Sequence, residues 1–182
     1  MVEDYPPDTS EEANNVMEFW PCKHKCNLCK YYLKQSKTVT SFHTNAVFKI
    51  KEYIDCDSEN AVYLINDLVC QISSVGCTAI STKERFRNHK SHIKKMRATC
   101  EVSTHFMDNK VVHPLDTSTY SNYDSSLSSQ IEVIIIEKVN VSNPNASAQE
   151  RLKEIKSREW YWQNQLKTLR QYGGMNVREE RS

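Results

Sequence analysis

The chain has 182 residues, 38% of them hydrophobic and 26% charged, which allows one ordinary domain or one domain plus a small module under a very polar surface. Lys and Arg total 24 against 23 Asp and Glu, so the net charge of +1 drives the protein toward neither nucleic acid nor membrane, and only local patches can. Three glycines (Gly76, Gly173, Gly174) are too few and too scattered for a glycine-rich phosphate cradle, and no apolar run approaches the roughly 18 residues that span a bilayer.

Residues 1–18 carry six acids, no Lys or Arg, and Pro6-Pro7, and read as an acidic, disordered tail without the basic and apolar layout of a secretory signal. The seven cysteines are therefore expected in a reducing compartment, where metal ligation or burial is favoured over disulfides. A cysteine module follows over 19–57. From Pro21 to Glu52 seven lysines face one acid and are interleaved with Tyr31, Tyr32, Phe42 and Phe48, just after Phe19 and Trp20. Basic residues mixed with aromatics suit phosphates and bases, and equally suit a basic module whose aromatics form a minor core. Within it Cys22-x3-Cys26-x2-Cys29, with His24 between, has the spacing of a zinc knuckle. The fourth ligand is open between His43 and Cys56. Cys56 is preferred because it lies just before the next domain, and three ordinary reduced cysteines are the alternative. Cys70, Cys77 and Cys100 read as buried or incidental.

Residues 61–65 form a strand and Ser74-Val75-Gly76 its hairpin partner. Ser81-Thr82-Lys83-Glu84 has capping-box spacing and opens a helix to about Arg97. That helix carries Lys83, Arg85, Arg87, Lys90, Lys94, Lys95 and Arg97 against Glu84, and is the most basic element of the chain. Arg85, His89 and His92 share one of its faces. A short helix is expected over 99–108, with Val102 and Phe106 inward, and 116–130 reads as an exposed loop. Ile131–Ile136 is the strongest strand, apolar enough to be central, and Asn143-Pro144-Asn145 breaks it. A last helix runs from about Ser147 to Leu169 and ends at Tyr172-Gly173-Gly174.

That helix has an apolar stripe at Leu152, Ile155, Trp162, Leu166 and Leu169, and Glu159 stands in the gap where an apolar residue belongs. A carboxylate there must be neutral, paired or metal-bound. One reading is a buried ion pair with the basic helix. The other is a cleft carboxylate facing Arg85 and His89, holding a divalent cation beside a phosphodiester.

Taken in order, these pieces resemble the GIY-YIG endonuclease family, in the version found at the C-terminus of Penelope-like retroelement proteins. Ala61-Val62-Tyr63 matches the first motif and Ser74-Val75-Gly76 the second. Thr78 and Lys83–His89 match the catalytic helix, Arg158–Trp162 the glutamate segment, and Tyr172–Val177 the closing asparagine motif. The resemblance covers 61–178 and implies an α/β (α+β) fold for 58–178: a small three-stranded antiparallel sheet flanked by helices, behind an N-terminal zinc-knuckle-like module, with 179–182 a tail. It implies metal-dependent nicking of DNA in the nucleus. Tyr63 would activate water, Arg85 would stabilise the phosphate and His89 would support proton transfer. Glu159 would hold Mg²⁺ or Mn²⁺, and Asn176 would brace the site.

Cys22, Cys26, Cys29 and Cys56 would hold Zn²⁺, in keeping with the cysteine-containing linker of these elements, which the run Thr40–Ile50 resembles. Lys83, Arg87, Lys90, Lys94 and Lys95 would contact nucleic acid. Without a polymerase segment, a retroelement-derived chain of this kind is expected to be a fragment or a domesticated remnant. There are two departures. Ala61 replaces a glycine, and Ser74 replaces the second-motif tyrosine, which opens the alternatives of a non-cleaving nucleic-acid-binding module and of a zinc-stabilised protein-interaction domain. Cys70 stands where relatives have one of a cysteine pair, but its partner position is Asp67, which argues against a second metal site.

Overall fold

The structure, a computed structural model, describes residues 22, 26–51, 54–143 and 145–177. The acidic tail over 1–18, Phe19, Trp20, His24, Pro144 and the tail over 179–182 lie outside the described residues. The chain is α+β. Two short strands, β1 (Thr38–Thr40) and β2 (Val47–Lys49), make a hairpin. The main sheet is antiparallel and three-stranded, with β3 (Ala61–Asp67), β4 (Ile72–Thr78) and β5 (Ile131–Lys138) in the order β4-β3-β5. Among the described residues there are four α-helices, α1 (Thr82–Lys94), α2 (Glu101–Asp108), α3 (Tyr120–Ser128) and α4 (Ala148–Leu166), of which α1, α2 and α4 lie where the sequence predicts helix.

Strand alternation divides the core into two layers. Ala61, Tyr63, Ile65, Val133 and Ile135 face Phe86 and Ile93 of α1, Val102 and Phe106 of α2, and Tyr123 and Leu127 of α3. Leu28, Tyr32, Ile54 and Cys56 of the cysteine-bearing segment pack into the same layer. On the other face, Val62, Leu64, Val75, Ile134 and Ile136 meet Val39 of β1 and Ile155, Trp162 and Leu166 of α4. Burying one such side chain contributes roughly 1.5–3 kcal/mol. The β3–β5 register shifts between Val62 and Tyr63, a bulge immediately before the tyrosine.

Five expectations need correction. β5 is apolar on both faces but lies at the edge of the sheet, and β3 is central. The outer side of β5 is covered by the chain at Leu33, which bridges Val133, and by the Lys34 amide, which donates to the Val133 carbonyl. Residues 116–130 are not a loop throughout: Thr119 caps α3 by accepting from the Asn122 amide, and Tyr123, Asp124 and Leu127 are buried. The Ser81 side chain makes no capping hydrogen bond at α1. The β1–β2 hairpin occupies part of the run read as a linker.

Finally, α4 stops at Leu166 with Lys167 in the left-handed conformation, and Gly173 ends a separate 3₁₀ turn over Arg170–Tyr172. There the chain folds back tightly on itself, and a Cβ on Gly174 would fall 2.0 Å from the Thr168 carbonyl oxygen.

Candidate functional site

Tyr63, on the central strand, is 2% exposed and its ring lies over Gly76 of β4. A Cβ at Gly76 would approach the phenol to 2.7 Å, so glycine is what admits the tyrosine at this point. Its Oη is 2.7 Å from His89 Nε2 and accepts from Arg85 Nε at 3.1 Å. Arg85 and His89 are one turn apart on α1, whose buried face runs through Thr82, Phe86, His89 and Ile93. Burial, helped by the positive charge of Arg85 and by His92, pushes the His89 imidazole down to about 3, so the ring is neutral. Burial raises the Tyr63 phenol, while Arg85 pulls it back. Thr78 turns the chain into α1, its hydroxyl donating to the Ile80 carbonyl.

On the opposite side of the strand pair, Glu159 of α4 is half-buried and accepts from the Cys77 thiol at 3.3 Å. Cys77 and Glu159 are near enough to raise the Tyr63 phenol further. Burial and then the Glu159 charge push the Cys77 thiol up, so it is a donor here. Cys77 and Cys100, which read as buried or incidental, therefore both touch site residues: Cys100 Sγ is 3.4 Å from His89 Nδ1. Asn176 braces the backbone of β4, accepting from the Val75 amide at 2.8 Å and donating to the Val75 carbonyl at 2.9 Å. It also donates to Ser74 Oγ at 3.2 Å, so this serine is buried and turned to Asn176.

Among the described residues two groups of side chains could hold a metal. Cys22, Cys26, Cys29 and Cys56 bring their sulfurs within 4.8 Å of one another, a set suited to zinc. Cys26 and Cys56 sulfurs are 3.6 Å apart, against an edge of about 3.8 Å for a tetrahedron with Zn–S near 2.3 Å. His43 is exposed on the β1–β2 turn, its ring 6.1 Å from that of Tyr172, and is not part of the cluster. Burial opposes ionisation of Cys22, but the Cys26 amide and the neighbouring thiols bring it down to about 7. Burial pushes Cys29 up to about 12.

The second group corrects the argument against another metal site. Asp67, Cys70, His105 and His113 also converge within 4.8 Å. Asp67 Oδ2 lies 2.7 Å from His105 Nε2 and 3.0 Å from His113 Nε2, and Cys70 Sγ lies 3.3 Å from His113 Nε2. Gln130 donates its amide to the Pro114 and Ser126 carbonyls, so its Oε1 faces His113 Nδ1 at 2.9 Å. That contact leaves His113 Nε2 to the cluster, the arrangement that orients a metal-binding histidine. Asp67 thus stands as an oxygen donor where a cysteine was looked for. His105 and His113 were not weighed in the sequence; their signal is two histidines eight residues apart beyond the hairpin.

The five cations expected at nucleic acid are placed unequally. Lys90 is turned inward: its ammonium pairs with buried Asp124, which also accepts from Tyr32 Oη at 2.7 Å and Asn27 Nδ2 at 3.0 Å. This takes Lys90 out of the accessible set and fastens the cysteine-bearing turn to α1 and α3. Lys83 pairs with Asp57, Arg87 reaches Glu84 at 3.9 Å, and Lys94 lies 4.0 Å over the Tyr120 ring. Lys95 is exposed at the end of α1. A cleft of about 730 Å³ lies between α4, β2 and β5, lined by Lys49, Lys138, Arg158, Tyr161 and Trp162, and includes none of Tyr63, Arg85, His89 or Glu159. No described helix is long and apolar enough to cross a membrane. No protein-family model, no curated protein and no solved structure matches the chain.

Proposed function

We propose that the protein is a metal-dependent DNA endonuclease that nicks phosphodiester bonds, as its resemblance to the GIY-YIG nucleases of retroelements implies, and that it works in the nucleus. The observation that carries this reading is the joining of Tyr63, Arg85 and His89 through one phenol oxygen, with the Glu159 charge raising the same phenol. A buried tyrosine bonded to a neutral histidine can take a proton from water, and a guanidinium beside it can neutralise charge growing on phosphate oxygens. A half-buried carboxylate is a hard oxygen donor of the kind that suits Mg²⁺ or Mn²⁺. Bound at Glu159, such an ion would polarise the phosphate and assist the leaving oxygen. The two cysteine- and histidine-containing clusters would carry zinc in a structural role. Arg87, Lys94 and Lys95 would meet the DNA backbone, making binding fall steeply with salt.

Ser74 favours a second reading, a non-cleaving module that still grips DNA, because its hydroxyl is engaged by Asn176 and supplies no ring near Tyr63. Plasmid nicking with Mg²⁺ or Mn²⁺ separates the two. Wild type is expected to nick, and Glu159→Ala to lose on the order of 10²-fold or more. Nicking only by Ser74→Tyr would identify a nuclease fold disabled at one residue. Inert protein in all three cases, with salt-sensitive DNA binding retained, would overturn the enzyme and leave the binding module.

A further inference from the structure

Cys100 is the N-cap residue of α2, paired with Ser103 in a capping box in which its amide donates to Ser103 Oγ, and its sulfur lies 3.4 Å from His89 Nδ1. The hydrogens of this small network can be placed by elimination. Tyr63 is 2% exposed, so its O–H needs a partner inside the protein. Among the described residues its oxygen meets two nitrogens, Arg85 Nε and His89 Nε2. A guanidinium has no acceptor, so Arg85 donates and the phenol proton goes to His89 Nε2. His89 is neutral in this setting, and a neutral imidazole carries one hydrogen. With Nε2 accepting, that hydrogen is on Nδ1, and the group it meets is the Cys100 sulfur. The Ser103 hydroxyl donates to the Cys100 carbonyl and accepts from the Thr99 and Cys100 amides, with its oxygen 3.3 Å from the sulfur.

We infer that Cys100 is a positioning residue: by accepting from His89 Nδ1–H it fixes the tautomer that leaves Nε2 as the acceptor for Tyr63. Resting on the nuclease reading, this gives the proton a defined route. The attacking water passes a proton to Tyr63 Oη as the phenol's own proton moves to His89 Nε2. The transfer accompanies attack of the water oxygen on phosphorus, since an imidazole held this weakly basic takes no proton from water beforehand, and the imidazolium keeps its Nδ1–H on the sulfur. In the opposite tautomer Nε2 would already be protonated and Tyr63 would have nowhere to send its proton. Cys100 plays toward His89 the part that a carboxylate plays toward the histidine of a hydrolytic triad, with a softer and uncharged acceptor.

The test reads the tautomer directly. Two-bond proton–nitrogen correlation spectra of the 182-residue, zinc-loaded, ¹⁵N-histidine-labelled chain near neutral pH should show His89 protonated on Nδ1. Cys100→Ser, which keeps an acceptor and a cap, should preserve that pattern, and Cys100→Ala should shift it toward the Nε2–H form. In nicking assays Cys100→Ala should lower kcat about 10- to 100-fold with KM unchanged, and Cys100→Ser should restore most of it. An Nε2–H signal in the wild type overturns the inference before any variant is folded, and so does a Cys100→Ala protein whose tautomer is unmoved. Wild-type protein that does not nick but has the Nδ1–H form with the expected variant shifts would sink the nuclease reading and leave the role of Cys100 standing.

Discussion

The two metal-competent clusters are built by opposite means. Three ligands of the first come from one stretch of eight residues, Cys22 to Cys29, and only Cys56 arrives from a distance. The second takes Asp67 and Cys70 from the end of β3 and the turn after it, His105 from α2 and His113 from the loop beyond, so its one short spacing, Asp67-x2-Cys70, joins a carboxylate to a thiol and lacks the paired cysteines that announce the first. The first is local chemistry that the fold completes; the second is fold that happens to gather chemistry. Local spacing is legible because ligands a few residues apart must lie near one another whatever the tertiary structure. Convergence across a sheet end and a helix depends on packing that no spacing encodes.

Removing one ligand from each cluster is the strongest way to break this comparison. Cys56→Ala and His113→Ala should each lower the zinc content from two equivalents to one, measured by metal analysis after gel filtration. The Cys56 variant should lose more thermal stability, because that cysteine is also core, at 0% exposure beside Ile54 and Tyr63. Equal zinc content in either variant and wild type would refute its cluster as a site.

A pH titration of stability sharpens the contrast from outside both clusters. His89 has its folded pKa lowered to about 3 against 6.5 for an ordinary imidazole, so the unfolded chain binds the extra proton in that window. Its contribution is complete above the unfolded value and is lost as pH falls toward the folded one, with a slope of at most about 1.4 kcal/mol per pH unit. Denaturant unfolding of the metal-free protein should show this slope, and His89→Gln should flatten it. Acid loss that remains in His89→Gln loaded with zinc then reports on ligand protonation.

The smallest expected effect is that of Gln130→Ala, which removes the orienting contact to His113 Nδ1. It should weaken zinc at the second cluster by about 10- to 100-fold in competition with a chromophoric chelator, leaving the first untouched.

How much could be read from the chain follows the same division. The β3–β4 hairpin, α1, α2 and α4 were legible because each carries its own periodicity or caps. α3 was not: Tyr-Ser-Asn-Tyr-Asp-Ser-Ser-Leu-Ser is poor helix material, and it folds as helix because Tyr123 and Leu127 are buried and Asp124 has three partners to satisfy. The edge position of β5 was hidden for a related reason. Its apolar faces predict burial on both sides, and the sequence does not say that a chain segment at Leu33, rather than another strand, covers its outer side. At the site, the odd placement of Glu159 on an apolar stripe was a readable sign, whereas Cys77 and Cys100 carry no pattern and matter only through what they touch.

The strand order has a consequence for how the chain is made. β4 begins five residues after β3 ends, but β5, the other neighbour of β3, begins more than sixty residues later. During synthesis the hairpin can close at once, and one side of its inner strand then waits with bare amides and carbonyls until Ile131–Lys138 emerges. Until then the nascent chain presents an open edge, and the late strand, an isoleucine-rich run, is itself prone to pair with copies of its own kind. A ribosome pause or a truncation between residues 78 and 131 would expose that edge. For this architecture the vulnerable moment is one of timing, and it falls before any of the chemistry is assembled.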